Sequence, residues 1–151
     1  MDWNQLFTFI NVVAVAGWLA LGLLPRRGAV LDAVMWGGVA LLCAAYAAIF
    51  VVLFGGLADP VRDAAGPAPR FEYSVDGLKA MFASRGAIVV GWTHYLAFDL
   101  FVGLWIARDA DTRAVGRLVQ APILFATFMA GPIGLLAWLL LRGPLTKKPR
   151  R

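Results

Sequence analysis

Four apolar stretches divide the chain: Gln5 to Leu24, Ala33 to Phe54, Ala87 to Ala107 and Leu118 to Leu141. Each is close to the roughly 20 residues a helix needs to cross a bilayer. Lipid offers no partner for free backbone N–H and C=O groups, so each stretch is expected to be a helix and the helices to pack on one another. The pattern predicts an all-α polytopic membrane protein, one domain over residues 1–151, with four transmembrane helices in one bundle at about 5–24, 33–54, 87–107 and 118–141. A connection (55–86) and a basic tail (142–151) complete the chain.

The connections differ in kind. PRRGAVLD and RDADTRAVGR are short and predict antiparallel neighbours, whereas GGLADPVRDAAGPAPRFEYS is rich in Gly, Ala and Pro and has no apolar period. At Ser74 the pattern changes: VDGLKAMFASR puts Val75, Leu78, Met81 and Phe82 on one helical face. This fits a short amphipathic helix at the membrane surface before the third span. The alternative is a plain extension of that span, interrupted near Gly86.

Composition agrees with the pattern, at 61% hydrophobic and 15% charged residues. The leader MDWNQ carries an acid rather than Lys or Arg and no Arg-rich transit segment precedes the first span, so direct insertion of a mature protein is expected. The expected location is a bacterial plasma membrane. Cys43 reads as a small packing residue. Four spans would put both termini on one side with Arg62, Arg70, Lys79, Arg85, Arg142, Lys147, Lys148, Arg150 and Arg151, leaving Arg26, Arg27, Arg108, Arg113 and Arg117 opposite. Nine cations against five favour cytoplasmic termini. The net charge of +5 is then topology and lipid headgroup contact, and nothing points to nucleic acid.

Polar and small residues line up within the spans. Asn4, Thr8, Asn11, Trp18 and Gly22 share one side of the first helix, and Gln120, Thr127, Gly131, Gly134 and Trp138 one side of the last. Both stripes are expected to face inward, as helix packing, a polar lining, or both. Pro132 should break a helical hydrogen bond and free the Phe128 carbonyl. Gly37, Gly38, Ala40, Ala44, Ala47 and Ala48 make the second helix a packing surface.

The third span carries the chemistry. In GWTHYLAFDLFVG, Asp99 lies near mid-span, where an ionised carboxylate costs at least about 2.5–3.5 kcal/mol. It must be neutral, paired or facing water. Tyr95 is four residues earlier on the same face, whereas His94 is displaced around the helix by roughly 140°. His94 and Asp99 could still flank one cavity from either edge, with Tyr95 between, its polar walls Asn11, His94, Tyr95, Asp99 and Thr127. His94 has an interhelical hydrogen bond as its plainer role. Arg108 and Asp109 read as ordinary interfacial charges, and one His and one Asp fall short of a metal set.

GWTHYLAFDLFVGLWIARD, with SVDGLKAMFASRGAIVVGW before it and FMAGPIGLLAWLLLR after it, resembles the abscisic-acid-deficient-four-like family, which includes plant neoxanthin synthase. The resemblance covers roughly residues 5 to 142. It implies a four-span fold and, for the plant members, conversion of violaxanthin to neoxanthin. Turning an epoxide into an allenic alcohol needs one proton delivered to the epoxide oxygen and one removed from a polyene carbon, with no net redox change. His94, Asp99 and Tyr95 are the candidate catalytic residues, as acid, base and positioning group without a cofactor. Asn11, Trp18, Trp92, Phe98, Thr127 and Gly131 are candidates for contacting the substrate, a carotenoid or related isoprenoid entering from membrane lipid. The rival reading is a binding protein for a carotenoid, quinone or sterol, in an aromatic-lined cavity that also takes in Trp105 and Trp138. A third is a membrane assembly factor.

Overall fold

A computed structural model describes residues 2–55, 57 and 72–146; the expectations for most of the middle connection and for the tail lie outside these. Among the described residues every element is helical. Helix α1 spans Trp3–Leu23, with the Asp2 carboxylate accepting from the Asn4 and Gln5 amides at its start. Helices α2 (Gly28–Ala33) and α3 (Leu41–Phe54) run on through a π-helical segment, Val34–Ala40, that contains Gly37 and Gly38. Helix α4 is Val75–Met81 and α5 is Arg85–Thr112. Helices α6 (Arg117–Met129) and α7 (Gly131–Leu145) follow.

Trp3–Leu23, Gly28–Phe54 and Arg85–Thr112 are long and apolar enough to cross a membrane. The amphipathic helix is present: the Ser74 hydroxyl accepts from the Gly77 amide to start α4. A second serine, Ser84, accepts from the Ala87 amide and starts α5 anew. The two helices are therefore separate, each with its own side-chain cap.

Helix α5 is the axis of the molecule. Trp3 and Leu53 pack on Gly86 at its beginning, Gly17 and Gly38 both receive Leu100 at its middle, and Trp18 packs on Gly103. Helix α1 thus runs parallel to α5 and α2–α3 antiparallel to both. The inward face of α1 is Ile10, Ala14, Gly17 and Leu21, not the polar stripe. Asn4 and Thr8 are exposed, and Thr8 and Asn11 satisfy their donors on the carbonyls of Asn4 (2.9 Å) and Phe7 (2.7 Å). With its hydrogen bond made inside the helix a hydroxyl gains nothing by facing a neighbour, so shape decides and the small residues turn inward.

The expected fourth span is instead two helices. At Ala130 the backbone leaves the helical region (φ −157°, ψ 77°), and Pro132 opens the next helix. Gly131 meets Asp99, Trp138 reaches Asp109 and Thr146 reaches Arg113, so α7 runs parallel to α5. Gln120 bonds Asp111 while Met129 bonds Tyr95, so α6 runs the opposite way. The two form a hairpin that enters from the Arg113 end of α5, turns at mid-span and leaves by the same end. At 13 and 15 residues its arms are about 20 and 22 Å long, short of the roughly 30 Å hydrocarbon core. Residues 118–141 are therefore not one continuous helix. Trp3 lies by Gly86 and Thr146 by Arg113, at opposite ends of α5.

Gly134 permits the reversal. A Cβ there would fall on the backbone nitrogen and Cα of Thr127, neither of which can move aside. Gly134→Ala is expected to part the hairpin arms and to cost about 1–3 kcal/mol, as overpacking does. Its unfolding midpoint in detergent should fall, while that of Gly143→Ala, whose Cβ meets nothing within 4 Å, should hold or rise.

Candidate functional site

Asp99 lies about 20 Å from either end of α5. Only 8% of it is exposed, and its Oδ2 has no hydrogen-bond partner. The carboxylate lies against Gly131, the first residue of α7, where any Cβ would collide with it. No side chain of α6 or the turn caps α7, so its first N–H groups present the positive end of a helix dipole to Asp99. This is the half-helix arrangement by which membrane proteins hold an anion at depth.

Tyr95 stands beside the carboxylate and donates to the Met129 carbonyl at 3.2 Å. The break thus leaves the carbonyl of Met129, the last residue of α6, as an acceptor for Tyr95. Tyr95 stacks on Trp92 (5.4 Å between centroids), and the Trp92 indole donates to Asn11 Oδ1 at 3.1 Å. Asn11, Trp92, Tyr95 and Asp99 form a polar ledge from α1 across α5 to the hairpin tip. The hairpin covers only the Arg113-side half of α5. Asn11 also lines an open, almost wholly apolar groove along α1, of about 470 Å³, with Phe7, Thr8, Val12, Val15 and Leu19.

Other candidates lie elsewhere. His94 is exposed on another face of α5, between Tyr46 (5.7 Å) and Phe98 (4.5 Å), so it does not share a cavity with Asp99. The rotation of roughly 140° that separates them along the helix is too great for the site to span. Thr127 donates to the Ile123 carbonyl (2.8 Å) and is buried in the hairpin seam, away from the ledge. Trp18 packs edge-on against Phe128 near the tip, and Trp105 lies beneath the Arg142 guanidinium. Gln120, Thr127, Gly131, Gly134 and Trp138 are all buried, as their stripe predicts. Among the described residues no three His, Cys, Asp or Glu side chains converge as a metal site.

Asp109 is not an ordinary interfacial charge. Its Oδ2 accepts from Arg113 Nε and from the indole of the fully buried Trp138, both at 3.0 Å, with Arg142 at 3.6 Å. Beside it, Gln120 donates to Asp111 (3.0 Å) and to the Val115 carbonyl (2.8 Å), and Arg26 bonds both Asp111 and Gln120. Burial lowers the Arg26 pKa while Asp111 opposes the shift, and the group stays charged. Arg117 donates to the carbonyls of Leu21, Gly22 and Leu24, closing the end of α1. These groups clasp the mouth of the hairpin. The spacing of Asp109 and Arg113, four residues apart in a helix, was the available signal. Asp109→Ala orphans the buried Trp138 N–H and is expected to cost about 1–3 kcal/mol. Limited proteolysis should then cut α7 sooner, and Asp109→Asn, which keeps an acceptor, should restore much of the protection.

Three long apolar helices with a hairpin tip docked on a mid-span carboxylate define a helical membrane protein. A family model described as ABA DEFICIENT 4-like matches residues 5–138, and the chain belongs to that family. A search of curated proteins and a search of solved structures each returned no match.

Proposed function

We propose that this protein is a cofactor-free isomerase of an epoxycarotenoid or a related apolar isoprenoid, working by proton transfer between Tyr95 and Asp99 within the membrane. The observation that carries the reading is the buried mid-span carboxylate with an unpartnered oxygen beside a phenol. Family membership supports it through the resemblance to neoxanthin synthase. The substrate enters from lipid on the side of α5 that the hairpin leaves uncovered. Tyr95 gives its O–H proton to the epoxide oxygen as the C–O bond opens. Asp99 takes a proton from the neighbouring polyene carbon, and passing it to the phenolate restores both groups. Atoms and electrons balance without a cofactor, as an isomerisation requires. Membranes containing the protein, supplied with violaxanthin in vesicles, should accumulate an allenic isomer that membranes lacking it do not. A parent protein that converts no epoxycarotenoid would sink the reading.

A second reading rests on Gly131: Asp99 is a latch for α7, its charge held by the helix N-terminus, and the ledge binds an isoprenoid without changing it. We also propose three crossings with a re-entrant hairpin in place of a fourth, and a cytoplasmic C-terminal face.

A further inference from the structure

On the other side of α5 five rings form a ladder that the proposed chemistry does not use. Phe54 stacks on Phe50 at 4.2 Å, Phe50 meets Tyr46 at 5.9 Å, Tyr46 meets His94 at 5.7 Å and His94 meets Phe98 at 4.5 Å. Phe50, Phe54 and Phe98 are exposed on the outer surface, as is His94. Tyr46 lies eight residues inside the Phe54 end of α3 and His94 nine inside the Arg85 end of α5, so both are about 12–14 Å along their helices from those ends, a depth of the same size where the ends meet the membrane surface. Phospholipid headgroups do not reach that depth.

Neither the Tyr46 hydroxyl nor the His94 imidazole makes a hydrogen bond among the described residues, whereas the Trp92, Tyr95, Gln120 and Trp138 side chains each donate one. A phenol and an imidazole facing hydrocarbon without partners each carry a desolvation cost. Two donors on separate helices, flanked by flat rings, suit a ligand with carbonyl acceptors on a planar ring and an unsaturated tail. An acyl chain offers no acceptor at this depth. A sterol presents a hydroxyl near the surface and saturated rings that do not stack.

We propose that the face between α3 and α5 binds a quinone-headed isoprenoid lipid, its ring carbonyls accepting from Tyr46 and His94 and its tail lying along the ladder. The site is separate from the Tyr95 ledge, and failure here leaves the isomerase reading untouched.

The test is photolabelling of the intact protein in phosphatidylcholine vesicles with an azido-benzoquinone, competed by decylbenzoquinone or by a short-chain naphthoquinone. Saturable label on peptides containing Tyr46–Phe50 or His94–Phe98 is expected. The two competitors distinguish benzoquinone from naphthoquinone heads. Tyr46→Phe combined with His94→Leu should weaken competition at least tenfold, and His94→Gln, which keeps a donor, should do so less. Tyr95→Phe should leave it unchanged. Melting each variant in detergent separates lost binding from lost fold. Label that neither quinone displaces, label confined to the α1 groove, or competition unaltered in the folded double variant would overturn the proposal. Displacement by a hydroxylated carotenoid but by neither quinone would overturn the ligand class.

Discussion

Tyr95→Phe and Asp99→Asn are each expected to lose about 10²–10⁴-fold in conversion of the epoxycarotenoid, the usual contribution of a positioned acid or base. The phenylalanine keeps the ring stacked on Trp92 and deletes only the hydroxyl. The asparagine keeps an acceptor for the first amides of α7 and replaces the other oxygen with an NH2 that cannot take the proton. Both should insert and melt close to the parent, because the clasp at Asp109 and Gln120 holds the hairpin independently. His94→Gln should convert at nearly the parental rate, since its imidazole faces Tyr46 and Phe98 on another side of α5. The measurement is allenic isomer formed per folded protein in the membrane. Parental rates for both Tyr95→Phe and Asp99→Asn would show that the carboxylate only latches the hairpin. Asp99→Leu should then be the damaging change, through loss of fold rather than turnover.

The separation of His94 from Asp99 follows from helical geometry alone, and the sequence places Tyr95 on the face of Asp99 correctly. It does not say what covers that face. The stripe of Gln120, Thr127, Gly131, Gly134 and Trp138 identifies the buried residues of the C-terminal segment, because Gln120 and Thr127 are seven apart on α6 and Gly131 and Trp138 seven apart on α7, so each pair shares one side of its own helix. The reversal itself is hidden from hydropathy: Leu118 to Leu141 is as apolar as a crossing, and a hairpin in lipid needs the same residues. The available signs were Ala130-Gly131-Pro132, where Gly allows close approach and Pro starts a helix rather than continuing one, and Arg142, too near the end of α7 to lie in hydrocarbon. On α1 the polar stripe misled at Asn4 and Thr8, which are exposed, while Asn11 and Trp18 do reach α5. Thr8 and Asn11 close hydrogen bonds on their own helix, and the pattern carries no record of that choice.

Orientation changes with the hairpin, and its test is all-or-none. The end of α5 at which the hairpin opens carries Arg26, Arg27, Arg108, Arg113, Arg117 and Arg142, and the opposite end carries Lys79 and Arg85 among the described residues. The sequence adds Lys147, Lys148, Arg150 and Arg151 after Thr146, and Arg62 and Arg70 to the connection before α4. Four crossings would have shared the cations nine against five; three crossings with a hairpin gather ten against four, a stronger bias of the kind that retains a face in the cytoplasm. The expected arrangement is a cytoplasmic C-terminus and an N-terminus outside. In a Cys43→Ser background, Asp2→Cys should react with a membrane-impermeant maleimide on intact cells, and Thr146→Cys only after lysis. Protection of both positions until lysis would mean that the C-terminal segment crosses the membrane after all, with Ala130 at a kink. Labelling of Thr146→Cys on intact cells with Asp2→Cys protected would instead keep the hairpin and invert the protein, against every cation that clasps its mouth.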